Sequence, residues 1–271
     1  TRCGGLEDAQ NIFDNLYRKD VALWNAMMAG YTQHGLGWEA LCLFSKMCQY
    51  HCCKPDEATF VIASKACSIM TMLESGRCVH SHIVEAGHES LTVINNTLIY
   101  MYSRCGNIRD ACHVFNSMSS HDTWTWNAMI SGISENCEYN LAFDYFRKMR
   151  EGGVDPIYVT FVPMLSLCSQ QGLLDEGCSL FRSARESDGV PPTVELYNCM
   201  VDVLGRVGYL HLAEEILLTI PFEFNLLGWM SLLTNCKTHN NVVVGKRFFD
   251  DLVDYSVAKK LNESTWKNPT T

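Results

Sequence analysis

Trp24-Asn25-Ala26-Met27 returns as Trp126-Asn127-Ala128-Met129, and Arg2-Cys3-Gly4 returns as Arg104-Cys105-Gly106, both at an offset of about 102 residues. Recurrence at one fixed offset is the signature of stacked supersecondary units, each covering the apolar face of its neighbour. Around Trp24 the apolar stretch Leu23 to Tyr31 breaks at His34-Gly35, resumes over Glu39 to Met47, and ends at Lys54-Pro55-Asp56. Both stretches place apolar residues three and four apart, and the glycine between them and the proline after them are stop signals. Residues 21–56 therefore read as a helical hairpin.

The same pattern predicts further hairpins over 57–91, 92–122, 123–157, 158–193 and 194–225, with 1–20 supplying the second helix of a preceding short unit. Long, long and short units alternate, and two such triplets produce the 102-residue echo. Alternating apolar and polar runs are scarce, so strands have little support. The expected architecture is an all-α superhelix whose stability resides largely in the interfaces between repeats.

The 271 residues are 47% hydrophobic and 19% charged, a composition for a folded chain with an extended core. No apolar run approaches the roughly 18 residues of a membrane span, so no membrane partner is expected. Thr1 to Gly5 resembles neither a signal nor a transit peptide and reads as the middle of a repeat, which makes the chain a fragment of something longer. The fourteen cysteines lie on helical patterns, and Cys67, Cys168 and Cys236 fall at one place in three units, as small packing residues in a reducing compartment do. Cys48, His51, Cys52 and Cys53 cluster without the Cys-x-x-Cys pairing of structural zinc sites, so no metal or other cofactor is expected. His80, His82 and His88 read as a solvated helix face, and Asn262-Glu263-Ser264 as a glycosylation acceptor without a secretory context. The net charge of −9 opposes a strongly electrostatic grip on nucleic acid unless a few Lys and Arg line an inner face while acids occupy the outside.

The run Trp126-Asn127-Ala128-Met129-Ile130-Ser131-Gly132, the ending Lys54-Pro55-Asp56 and the alternation of long and short hairpins resemble pentatricopeptide repeat proteins of the plant class that cycles P, L and S motifs. The stretch from Pro192 to Arg206 is similar to the last L and S motifs of that class, and residues 226–254, with Trp229-Met230-Ser231-Leu232-Leu233, look like its E-type motif. On this resemblance 1–20 is a partial S repeat, 21–56 and 123–157 are P, 57–91 and 158–193 are L, 92–122 and 194–225 are S, and 255–271 is a tail. The implied fold is a right-handed α-solenoid superhelix of helix-turn-helix repeats. The implied function is sequence-specific binding of single-stranded RNA in a mitochondrion or chloroplast, one base per repeat.

In that family the fifth and last residues of each motif read the base edge, and the second residue packs against the base face. Carried onto this sequence, the reading pairs are Asn25 with Asp56, Asn96 with Asp122, Asn127 with Ile157, and Asn198 with Asn225. The L motifs offer Val61 with Leu91 and Val162 with Thr193, which read more weakly. Ala22, Val93, Trp124 and Val159 stand at packing positions, whereas Glu195 is a poor packing residue. The implied preference, 5′ to 3′ from the first P motif, is U, any, U, pyrimidine, any, C or U. Trp24 and Trp126 lie one residue before the reading position and are read as packing between helices. Read without the resemblance, the recurring Asn residues are helix caps, but a cap does not explain why four units share Asn at one internal position while the L units place Val there.

Members of this class act in C-to-U editing, chemistry that needs a His-x-Glu element and a Cys-x-x-Cys pair to hold zinc. Neither occurs here, so the chain is expected not to be an enzyme, and editing would draw on a deaminase-domain protein or editing cofactor in trans. Hydrolytic or transferase catalysis lacks any nucleophile–base constellation or phosphate loop. The competing function is a protein-binding helical-repeat scaffold, which suits the acidic balance but leaves the Asn and Asp periodicity unaccounted for.

Overall fold

The computed structural model describes residues 5–49, 53–186, 193–219, 226–250 and 252–253. Among the described residues every regular element is helical, and the chain divides into two compact units, Thr1–Asp155 and Pro156–Thr271. The first unit holds α1 (Leu6–Asn15), α2 (Val21–Gln33), α3 (Gly37–Gln49), α4 (Glu57–Met70), α5 (Leu73–Glu85), α6 (Thr92–Arg104), α7 (Ile108–Ser117), α8 (Thr123–Glu135) and α9 (Tyr139–Glu151). The second holds α10 (Tyr158–Gln171), α11 (Leu174–Glu186), α12 (Val194–Val207), α13 (Leu210–Thr219) and α14 (Leu226–Thr238), with residues 242–250 also helical. None of these helices is long and apolar enough to cross a membrane. The tail beyond residue 253, the Asn262 sequon, and His51 and Cys52 of the cysteine cluster lie outside the described residues.

Each hairpin closes in the same way. The backbone N–H of the first or second residue after the first helix's cap reaches back to a carbonyl five residues earlier, as in Leu36 to Tyr31, Met72 to Cys67, Asn107 to Tyr102 and Glu138 to Ile133. Leu173 to Cys168, Tyr209 to Leu204 and Asn241 to Cys236 complete the series, all at 2.9–3.3 Å. This closure requires a left-handed residue one position earlier, which is Gly35, Gly106, Gly172 or Gly208 in four hairpins and Thr71, Cys137 or Asn240 in the other three.

First helices stack on first helices: α2, α4, α6 and α8 pack in succession in the first unit, and α10, α12 and α14 in the second. Their inward faces supply the core, including Met28, Phe60, Leu98, Met129 and Ile130 in one unit and Phe161, Leu165, Val201 and Leu232 in the other. Trp24 meets Phe13 edge-on at 4.9 Å, and Trp126 meets Phe115 in the same way at 4.9 Å, so both indoles pack between helices. Cys67, Cys168 and Cys236 are buried on this wall, and burial pushes the Cys67 and Cys168 thiols up to about 12. In the second unit the Asp202 carboxylate ties three first helices together, accepting from Ser169 on α10, from Ser231 on α14 at 2.8 Å, and from Arg206 on its own helix at 2.9 Å.

The three histidines around α5 do not form a solvated face. His80 bonds the Tyr102 hydroxyl of α6 at 2.8 Å, while the His82 and His88 rings lie 5.7 and 5.6 Å from Phe44 and Phe60. Their aromatic partners come from neighbouring helices, so spacing within α5 alone cannot reveal them.

Two stability predictions follow from this packing. Thr71 is β-branched and left-handed at φ 51°, so Thr71→Gly, and likewise Cys137→Gly, should raise unfolding free energy by about 0.5–1 kcal/mol in denaturant titrations. A Cβ added at Gly132 would overlap the Ser103 side chain of the adjacent first helix, so Gly132→Ala should cost about 1–3 kcal/mol. Ser103→Gly added to that variant should restore much of the loss, because it removes the obstructing atoms.

Candidate functional site

The boundary between consecutive hairpins is where the sequence-derived pairs lie. Asp56 ends one hairpin and caps α4 of the next, its Oδ1 accepting the Thr59 N–H at 2.9 Å. Asn25 is not a cap; it stands one turn inside α2 and donates its Nδ2 to the same Asp56 Oδ1 at 2.9 Å. Thr59, fully buried, closes the arrangement: its hydroxyl lies 2.7 Å from Asn25 Oδ1 and 2.8 Å from Asp56 Oδ1, and its Oγ1 accepts the Asp56 N–H at 3.1 Å.

Two repeats later the same three residue types meet. Asp122 caps α8 through the Thr125 N–H at 2.7 Å and also receives the Thr125 hydroxyl at 2.8 Å and a bond from the Asn96 side chain. Here Thr125 does not reach the Asn: Asn96 Oδ1 is buried without a hydrogen-bond partner. Burial pushes both carboxyls up, but the hydrogen bonds outweigh it. The Thr59 N–H, the Asn25 amide and the Thr59 hydroxyl hold Asp56 below its ordinary value, and the Thr125 N–H, the Thr125 hydroxyl and the Asn96 side chain do so for Asp122.

The other expected pairs differ. Val61 is half-buried on α4, and Leu91 precedes α6 without a side-chain cap, so this pair offers no polar group to a base edge. Asn127 is buried on α8 in the first unit, while Ile157 precedes α10 in the second unit and caps nothing with its side chain. Val162 is half-buried on α10, and Thr193 caps α12 through the Leu196 N–H at 3.3 Å. Asn198 is half-buried on α12, and its expected partner Asn225 lies outside the described residues.

The residues at the packing positions face outwards. Ala22 and Val93 are exposed, Trp124 is 64% exposed, and Val159 is half-buried. Ala58, passed over in the sequence reading, stands exposed at the same place on α4, as does Glu195 on α12. Asp20 was also missed: it caps α2 through the Leu23 N–H at 2.8 Å, the position Asp56 holds one hairpin later.

The acidic balance does not sit on the first helices. Those carry Lys65, Arg104, Arg206 and Lys237 against Glu57, Glu135, Glu195 and Asp202, with the capping aspartates at their starts. Two of the cations are already paired, Arg104 with Glu135 at 3.2 Å and Arg206 with Asp202 at 2.9 Å. Acids accumulate on the second helices, as with Glu7, Asp8 and Asp14 on α1 and Glu214 and Glu215 on α13.

Residues 19–68 match the PPR repeat family, and residues 96–122, 124–154, 159–188 and 195–220 each match a PPR repeat. The chain belongs to the pentatricopeptide repeat family. It is 37% identical over 255 residues to a chloroplastic pentatricopeptide repeat-containing protein of Arabidopsis thaliana, an alignment covering 93% of this chain and 34% of the relative. It is 35% identical to a mitochondrial one from the same plant, over 90% of this chain and 38% of the relative. The chain therefore spans little more than a third of either relative. Among solved structures it is similar to the pentatricopeptide repeat protein PPR10 in complex with an 18-nt psaJ RNA element, with a TM-score of 0.83 and 18% identity over 94% of this chain and 38% of that one. PPR10 from maize gives a TM-score of 0.67 at 22% identity, over 86% of this chain and 34% of that one. These likenesses establish the helical-repeat fold.

Acid should loosen these junctions. Asp56 and Asp122 titrate below the ordinary 3.8, so their contribution to stability is complete above that value and is lost as pH falls through their lowered values. Replacing Asp56 by Ala should remove about 0.5–2 kcal/mol at neutral pH and flatten the acid limb of the stability profile, both measurable by urea titration followed by circular dichroism.

Proposed function

We propose that this chain binds single-stranded RNA in a mitochondrion or chloroplast, reading one base per hairpin. The observation that carries this reading is the meeting of Asn25 with Asp56, and of Asn96 with Asp122, at junctions whose second residues face outwards as apolar surface. Such a junction presents an amide to the edge of a base and an aliphatic or aromatic side chain to its face, the two contacts that sequence-specific recognition of unstacked bases requires. PPR10, whose structure with RNA is known, and relatives named chloroplastic and mitochondrial support both the partner and the compartment.

The reading heads are Asn25 with Asp56, Asn96 with Asp122, Asn127 with Ile157 and Asn198 with Asn225, and the Val-bearing hairpins contribute little discrimination. The hairpins follow the P, L and S cycle with an E-type motif over 226–254. The larger role is that of a specificity factor for C-to-U editing or other transcript processing, with the chemistry supplied in trans by a deaminase-domain protein or editing cofactor. The near balance of charge on the first helices makes hydrogen bonding and stacking, more than phosphate neutralisation, the source of preference.

Fluorescence anisotropy with labelled RNA tests this. An oligonucleotide carrying U, any, U, pyrimidine, any, C or U should bind at least about tenfold more tightly than a purine-only one, since each base-edge contact contributes roughly 1–3 kcal/mol. Asn96→Val together with Asn198→Val should erase most of that difference. Equal binding of the purine RNA, or a preference untouched by the double substitution, overturns the proposal in favour of a protein-binding scaffold.

A further inference from the structure

Thr59, Thr125 and Thr160 stand third in the hairpins that follow Asn25, Asn96 and Asn127, whereas Ile94 and Leu196 take that place after Val61 and Val162. All three threonines are fully buried at the start of a first helix. In three of the four places where a hairpin carries Asn at its fifth position, the next hairpin carries Thr at its third, and at the first junction that hydroxyl reaches the Asn. Gly228 holds this place after Asn198, without a hydroxyl.

The chemistry at the first junction explains what such a hydroxyl does. A carboxylate only accepts, so the end of the Asn25 amide that faces Asp56 is its NH₂. One hydrogen bond leaves the amide able to swing about that contact, because the last torsion of Asn is broad. A second bond at the opposite end, from the Thr59 hydroxyl to Asn25 Oδ1 at 2.7 Å, fixes the plane. The same hydroxyl also lies 2.8 Å from Asp56 Oδ1, so it bridges the carboxylate and the Asn25 carbonyl oxygen. What remains outward is one N–H and one lone pair in a set order. Uracil and cytosine differ in the order of donor and acceptor along their pairing edges, so a fixed amide separates them and a swinging one does not.

We propose that Thr59 is a positioning residue for base discrimination, holding the Asn25 amide in the one orientation that separates uracil from cytosine at its nucleotide. This rests on the RNA-reading function proposed above. Thr59 touches no base itself; it acts through Asn25, and its backbone N–H donates to the capping Asp56 carboxylate whatever side chain it carries.

The test uses the 271-residue chain and pairs of RNA oligonucleotides that differ only by U or C at the nucleotide aligned with Asn25, or only at the one aligned with Asn96. Thr59→Val should lower the U-over-C affinity ratio at the first nucleotide by about fivefold or more while leaving the ratio at the Asn96 nucleotide unchanged. Thr59→Ser, which keeps the hydroxyl, should retain the ratio. Equal weakening of U and C by Thr59→Val, with the ratio intact, means a structural role only and overturns the inference. Asn25→Val separates the two levels. If Asn25→Val abolishes the ratio and Thr59→Val does not, the inference fails and the RNA reading stands; if neither changes it, the reading at this hairpin fails as well. Should Thr59→Val not fold by circular dichroism, Thr59→Ala, which also lacks the hydroxyl and adds no bulk, is judged by the same ratio.

Discussion

The hydrogen bond from the Thr59 N–H to Asp56 Oδ1 starts a helix, and the bond from Asn25 to the same oxygen orients a side chain on the helix before it. One atom therefore serves the fold and the candidate interface together. The position of Asn25 relative to the next hairpin is set by the same capping geometry that orders the first turn of α4, so the spacing between successive reading points is a by-product of how each helix begins. Where the residue before the helix is apolar, as at Leu91 and Ile157, the helix starts without a side-chain acceptor for its first N–H groups.

Charge is distributed in keeping with this division of labour. The stacked first helices carry few charged residues, and the second helices carry more of the acids than the first. A binding surface built this way gains little from counterion release and depends on desolvated hydrogen bonds and stacking, which fall off sharply with small displacements. Trp124 and Val93 are exposed on these helices, where the proposed reading puts base stacking.

Much of this was legible before any coordinates. Three- and four-residue spacing with Gly35, Gly106 and Pro55 as punctuation marks out the hairpins, because helix periodicity and stop residues are local properties. The closing turns at Thr71, Cys137 and Asn240 were not legible, since nothing in those residue types demands a left-handed backbone; the repeat imposes it. The histidines on and just after α5 were misread because their partners, Tyr102, Phe44 and Phe60, belong to other helices. Thr59 was passed over for a similar reason. A threonine near a helix start is unremarkable until Asn25, 34 positions earlier, is seen 2.7 Å away.

The two described junctions also show why residue type alone underdetermines a reading head. Asn25, Asp56 and Thr59 are the same three residues as Asn96, Asp122 and Thr125, yet in the first the hydroxyl reaches both partners and in the second it reaches only the carboxylate. The cost of the second arrangement is a buried carbonyl oxygen on Asn96 with no partner, a penalty of roughly 1–3 kcal/mol that the surrounding packing sustains. The Asn96 amide is thereby held at one end only, and the free energy that would fix its plane is absent. Two hairpins that spell the same pair of residues consequently hold their amides differently, which on the proposed reading makes them refuse a wrong base to different degrees. On the RNA reading proposed above, discrimination at Asn25 rests on three residues drawn from two successive repeats, the third of them buried.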